Sequence, residues 1–215
     1  MPAGGERASV TQFVEETEGG RERGPVGLLR AWIGVLVRPR RFFATRLEPA
    51  DQAPGLVFAA LVVLIEEATR IALVPGAVPV FRNQPVASTI LWLLVAVVLV
   101  APAAIHLTAA AQTLVLVATA PERAGVSRTV QVICYATAPA VLAGAPEPFL
   151  RAPAAAYGAV LLVVGTAEVH DVSLPGALLA AAVPAWVIFA YGFGGFEATV
   201  TVAELTWDWL EATLG

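Results

Sequence analysis

From Val26 onward the chain is a series of apolar runs separated by short polar breaks. In VGLLRAWIGVLVRPRRFFATRL (26–47), Leu28, Leu29, Trp32, Val35 and Leu36 recur at helical spacing, with Arg30, Arg38, Arg40, Arg41 and Arg46 gathered behind them. The pattern predicts a basic amphipathic helix, and two placements fit it: flat on an anionic membrane surface, or packed on a bundle as a juxtamembrane helix. Runs at about 55–74, 87–119, 129–146, 153–169 and 175–195 follow, each predicted as a membrane span. The second exceeds the roughly 20 residues that cross a bilayer, so it is one long tilted helix or two broken near Pro102. The final segment opens with Thr201-x-x-Glu204, a capping-box pattern, and sets Glu204, Asp208 and Glu211 on one face. Trp207 and Trp209 beside them suit a membrane–water boundary.

The predicted fold class is all-α: an integral membrane five-helix bundle with an N-terminal interfacial amphipathic helix and a C-terminal amphipathic helix. Its divisions are a polar, disordered tail (1–25), a basic juxtamembrane segment (26–48), the transmembrane domain (49–195) and an acidic amphipathic helix (196–215). Composition requires the membrane: 58% of residues are hydrophobic and only 14% charged, with a mean hydropathy of +0.75, more apolar surface than one soluble core can hide. The opening 25 residues have no apolar core of a signal peptide, so insertion is expected to start from an internal segment. Arg30 to Arg46 precede the first span and Arg123 and Arg128 follow the second, while Arg82 and Arg151 fall in the opposite loops. The positive-inside preference therefore places the N-terminus in the cytoplasm and, after five crossings of a cell membrane, the C-terminus outside.

All 13 basic residues are arginine against 17 acids, a net charge of −4. No basic stripe large enough for nucleic acid is present. The single Cys134 lies in an apolar run, which excludes an intrachain disulfide or a multi-cysteine metal site and assigns the thiol to packing. No cofactor is predicted.

The chemistry worth weighing is the stretch EEATR inside the first span. Each charge at a helix centre costs about 2.5 to 3.5 kcal/mol, while each large apolar residue returns about 0.3 to 0.6, so this helix should not face lipid at that depth. On a helix Glu66 is four residues and Glu67 three residues from Arg70, so either carboxylate reaches the guanidinium. The functional alternative is a proton or ion relay; the structural one is a buried pair that docks the first helix, favoured because no Asp, Lys or further Arg lies inside the other spans to extend a relay. His106, sharing a face with Thr113, is expected to hydrogen-bond to another helix, with Thr108, Gln112 and Thr119 on the opposite side. Gln131 and Tyr135, one turn apart, are expected to join helices, and Ala154, Gly158 and Gly165 to allow close contact. Glu168, His170 and Asp171 cluster at a predicted turn, where solvation outweighs metal binding.

EEATR is one residue short of the Glu-Glu-x-x-x-Arg motif of intramembrane CAAX-type metalloproteases. Pro102 stands where that family has Phe before His106, and His170 is near a turn, so the match fails at three points. No Gly-x-Ser-x-Gly elbow, phosphate-binding glycine loop or His-Glu-x-x-His is present. By contrast RPRRFF (38–43), YATAPAVLAGAP (135–146) and GTAEVHDVSLPGALLAAAVP (165–184), in that order across about 26–195, resemble the Yip1 domain family in its prokaryotic, particularly archaeal, form. The resemblance implies a multi-pass membrane protein of five helices with a cytoplasmic N-terminus. Eukaryotic relatives bind Rab GTPases and act in vesicle traffic; the short polar stretch before the first helix is not expected to match their long N-terminal domain, so that partnership is not carried over. The expectation is a non-enzymatic membrane protein working through protein or lipid interaction in membrane organisation. Its expected partners are the lipid bilayer and either a membrane protein or a second copy of itself. Small-solute or ion transport and intramembrane proteolysis are the alternatives.

Overall fold

A computed structural model describes residues 24–120 and 123–214; most of the predicted N-terminal tail lies outside them. The described residues form helices and no strand: α1 (Pro25–Val37), α2 (Pro39–Arg46), α3 (Ala53–Leu73), α4 (Pro85–Thr119), α5 (Val126–Ala136), α6 (Pro148–His170), α7 (Leu174–Gly192) and α8 (Gly195–Leu214). Proline at the first or second position opens α1 to α4, α6 and α7, where its missing N–H has no intrahelical partner to lose.

The predicted basic helix is two helices. Pro39 cannot continue α1, and Arg38 before it takes an extended φ of −137°. α1 presents Trp32, Val35 and Leu36 to the bundle, while Val26, Leu29, Ile33 and Val37 form an exposed apolar stripe on its other side. The packed, juxtamembrane placement is therefore met by the inner face of α1, and the outer face stays exposed. Of the five arginines only Arg30 lies on α1; Arg40, Arg41 and Arg46 ride on α2 and Arg38 is the joint.

α4 is one continuous helix. Pro102 donates no hydrogen bond, and the turn before it widens: residues 95–100 are π-helical, with the Ala101 N–H reaching back five residues to the Ala96 carbonyl. α7 does the same beyond Pro184, where residues 185–192 are π-helical. α4, α6 and α7 are long and apolar enough to cross a membrane. α3 has comparable length, 21 residues, but carries Glu66, Glu67 and Arg70.

α5 and the 3₁₀ turn that extends it (Ala138–Leu142) form the centre of the molecule: every residue from Thr129 to Ala140 is buried. With α-helical and 3₁₀ rises this segment advances about 26 Å. The aromatic core forms where it meets α1, α2 and α3. Tyr135 stacks edge-on to Phe42 at 4.9 Å and tilted to Phe58 at 5.0 Å, and Phe58 meets Trp32 at 5.1 Å. Polar tips tie the same elements: Trp32 Nε1 donates to the Ala138 carbonyl (2.9 Å) and the Tyr157 hydroxyl to the Leu36 carbonyl (2.5 Å).

Small residues set the spacing elsewhere. Gly158 faces the Phe189 ring, and Gly165 faces Val132 and Phe43. α6 starts at Pro148, five residues before the predicted boundary, because Glu147 caps it and Pro153 is accommodated inside. Arg151 is consequently a first-turn helix residue and not a loop residue. The C-terminal helix also starts earlier than the capping-box pattern implied. Gly194, at φ +65°, turns the chain directly into α8 at Gly195. Thr201 is therefore inside the helix, donating to the Glu197 carbonyl (3.0 Å). From Ala203 to Leu214 every residue of α8 is exposed, its acidic and its apolar positions alike.

The closest glycine contact yields a test. A Cβ at Gly144 would stand 2.1 Å from the Glu66 carbonyl oxygen, so α3 and the turn after the 3₁₀ segment meet backbone to backbone. Gly144→Ala should destabilise the protein by about 1–3 kcal/mol. Gly176→Ala, whose added methyl meets only ordinary contacts, should leave stability unchanged or raise it by up to about 1 kcal/mol. Unfolding of both variants in mixed micelles measures the difference.

Candidate functional site

Polar side chains inside the bundle gather in three places. The first is the C-terminal end of α3. Glu67 and Arg70, one turn apart, form an ion pair, with side chains 16% and 24% exposed. Trp92 of α4 donates Nε1 to the same carboxylate oxygen (2.9 Å), and Arg70 donates Nη1 to the Ala77 carbonyl (3.0 Å). The pair thus joins α3, α4 and the loop between them. Glu66 is buried one position away, with its backbone carbonyl against Gly144 and with Arg70 and Arg151 as the neighbouring cations. Arg151 is itself anchored, through Nε to the Ala143 carbonyl (2.9 Å) and Nη2 to Ala145 (3.2 Å). Of the two carboxylates within reach of Arg70, Glu67 makes the bond. Trp92, in the apolar stretch that follows Thr89, had no signal in the sequence.

The second group crosses the middle and the opposite end. Gln112 of α4, fully buried, donates to the Thr166 hydroxyl of α6 at 2.7 Å. Thr166 lies beside Gly165, and that run of small residues was the available clue to a close polar contact. Gln131 of α5, also fully buried, donates to the Glu48 carbonyl (2.7 Å) and so fixes the link between α2 and α3. Tyr135 one turn on belongs to the aromatic core. His170 is buried with Nε2 3.2 Å from the Thr129 hydroxyl.

His106 departs from expectation. It is exposed and its Nδ1 contacts the Pro102 carbonyl of its own helix at 2.7 Å. The inward face of α4 runs through Ile105, Thr108, Ala109, Gln112 and Leu116, and His106 lies about 100° off that stripe. Glu168, His170 and Asp171 do not converge either. Glu168 faces Arg40 (3.7 Å), His170 turns inward, and exposed Asp171 ends α6 in a left-handed conformation. Among the described residues no three His, Cys, Asp or Glu side chains group closely enough for a metal ion.

The third place is a cleft of about 790 Å³ between α1, α2 and the start of α3. Arg30, Arg38, Arg41 and Arg46 line it with Asp51, and Leu28, Ala31, Phe42, Val57 and Tyr135 supply apolar wall. The basic run was visible in the sequence, but a cleft was not, because it exists only where Pro39 turns α2 away from α1.

The Yip1 domain family model matches residues 33–196, most of the chain. No curated protein and no solved structure matches it.

The α3 pair gives the prediction here. Arg70→Ala leaves Glu67 without its guanidinium in a largely apolar setting and should cost about 3 kcal/mol, the lower end for a buried pair because both side chains keep some exposure. Glu66→Gln, Glu67→Gln and Arg70→Met together should cost less than Arg70→Ala alone. Equal losses in bilayer unfolding would mean that the pairing does not hold the helices.

Proposed function

The chain belongs to the Yip1 domain family, and from that premise we propose a multi-pass membrane protein that works by holding protein or lipid partners and not by catalysis. Membrane organisation is the role this implies. The observation that carries it is the placement of polarity. Leu107, Leu114 and Val98 expose 72%, 73% and 68% of their surface while Gln112 and Gln131 expose none. An outside this apolar beside an inside with buried glutamines suits lipid on the periphery. The internal carboxylate of Glu67 is taken up by Arg70 and Trp92, which supports docking of helices over relay of ions or ligation of zinc.

In this proposal α3, α4, α5 with its 3₁₀ extension, α6 and α7 are the five crossings. The N-terminus faces the cytoplasm and α8 lies on the outer surface of a cell membrane. α5 is too short to span as a solitary helix, but Thr129 to Ala140 is buried on all sides, so its ends need not reach the headgroups. The arginines at 30–46, 123 and 128 lie at one end of this arrangement.

Thiol labelling in intact cells tests the orientation, in a Cys134→Ser background. Gln84→Cys, exposed before α4, should react with an impermeant reagent, and Gly125→Cys, exposed before α5, should react only after the membrane is opened. The reverse pattern would invert the topology. Crosslinking in native membranes followed by purification should recover a discrete protein partner or a dimer. Recovery of monomer alone under conditions that crosslink a known dimer would leave lipid as the partner.

A further inference from the structure

We propose that the cleft between α1, α2 and α3 binds one anionic membrane phospholipid, its phosphate on Arg38 and Arg41 and the upper part of an acyl chain along the apolar wall. The inference deepens the proposed role by naming a lipid partner, and it rests on the same membrane placement.

Charge comes first. The chain carries a net −4, yet four arginines and a single carboxylate line this one cleft, so the local sign opposes the global one. Arginine presents a planar fork of donors that fits phosphate oxygens, and it is less strongly hydrated than lysine. Arg30, Arg46 and Asp51 already have interactions within the protein. The phosphate is therefore assigned to Arg38, at the joint between helices, and Arg41, in the first turn of α2; both are exposed.

Shape and surroundings select a lipid over a free anion. The volume, about 790 Å³, falls in the range of roughly 300–1,000 Å³ usual for small-molecule sites. Leu28, Ala31, Phe42 and Val57 of its wall offer nothing to a phosphate but suit hydrocarbon. Beside the cleft, the outer stripe of α1 exposes Val26, Leu29, Ile33 and Val37, which places the cleft where an interfacial helix meets headgroups and chains. A phospholipid presents both chemistries at that level.

The neighbouring Arg40 supplies an internal control. It has the same charge and sits next to Arg41 in sequence, but it faces Glu168 of α6 at 3.7 Å and does not line the cleft. Diffuse attraction to an anionic surface would weaken alike on loss of either arginine, whereas a discrete site distinguishes them.

Native mass spectrometry of the full chain released from detergent micelles, titrated with phosphatidylglycerol or with phosphatidylcholine of the same acyl chains, provides the test. One phosphatidylglycerol should bind ahead of further adducts and more tightly than phosphatidylcholine. Arg41→Gln should weaken that first binding about fivefold, Arg40→Gln less than twofold, and Val57→Trp, which fills the apolar part from an exposed position, should weaken it without altering charge. Millimolar glycerol phosphate should fail to displace the lipid. Equal binding of the two lipids, equal effects of Arg40→Gln and Arg41→Gln, no effect of Val57→Trp, or displacement by glycerol phosphate would each overturn the proposal. The titration is made in detergent and does not depend on orientation. Loss of lipid selectivity with the expected thiol labelling therefore sinks the lipid site alone, while reversed labelling with selectivity intact sinks the topology alone.

Discussion

Inside a bilayer there is no water to complete a hydrogen bond, so a polar group that enters must bring its partner or find one on another helix. The long-range polar contacts among the described residues suit that demand. Gln112 reaches Thr166, Gln131 reaches the Glu48 carbonyl, Trp32 reaches Ala138, and Glu67 gathers Arg70 and Trp92. Since lipid is as apolar as leucine, apolar packing by itself chooses weakly among helix arrangements. The directional bonds do the choosing, and all but the Glu67–Arg70 pair join segments distant in sequence.

Two of these bonds end on α5 and its 3₁₀ extension, the most buried segment of the described residues. Gln131 holds the α2–α3 link and Thr129 meets His170. Tyr135 closes an aromatic cluster with Phe42 and Phe58, and the Ala138 carbonyl beyond the helix receives Trp32. Gly144, further on, lets the chain touch the α3 backbone. Burial of Thr129 to Ala140 on all sides explains how a segment of eleven α-helical residues and a 3₁₀ turn keeps its place beside helices of 19 to 35 residues.

Much of the candidate chemistry was legible. Helical spacing put both Glu66 and Glu67 within reach of Arg70, because helical geometry is local, and the structure selects Glu67. Gln131 and Tyr135 were marked as joining residues by being polar in an apolar run, and both are buried. His106 misled for the same reason: a polar residue in a span signals something, but which way it faces depends on where the neighbouring helices lie. The Thr201 capping pattern failed because the chain had already turned at Gly194 and begun the helix; short cap motifs carry no information about what precedes them.

The sequence by itself determined the all-helical class, the apolar runs, the arginine asymmetry and the reach of Arg70 to a carboxylate of its own helix. All of these rest on composition or on contacts within a few turns of one helix. Only the tertiary structure decided that α4 passes Pro102 unbroken, since a proline can end a helix or be absorbed by a wider turn, and packing chooses between them. It decided likewise that Trp92 completes the Glu67 cluster and that α2 swings from α1 to open a basic cleft. These features depend on residues tens of positions apart meeting at atomic distance, and no local periodicity encodes such a meeting.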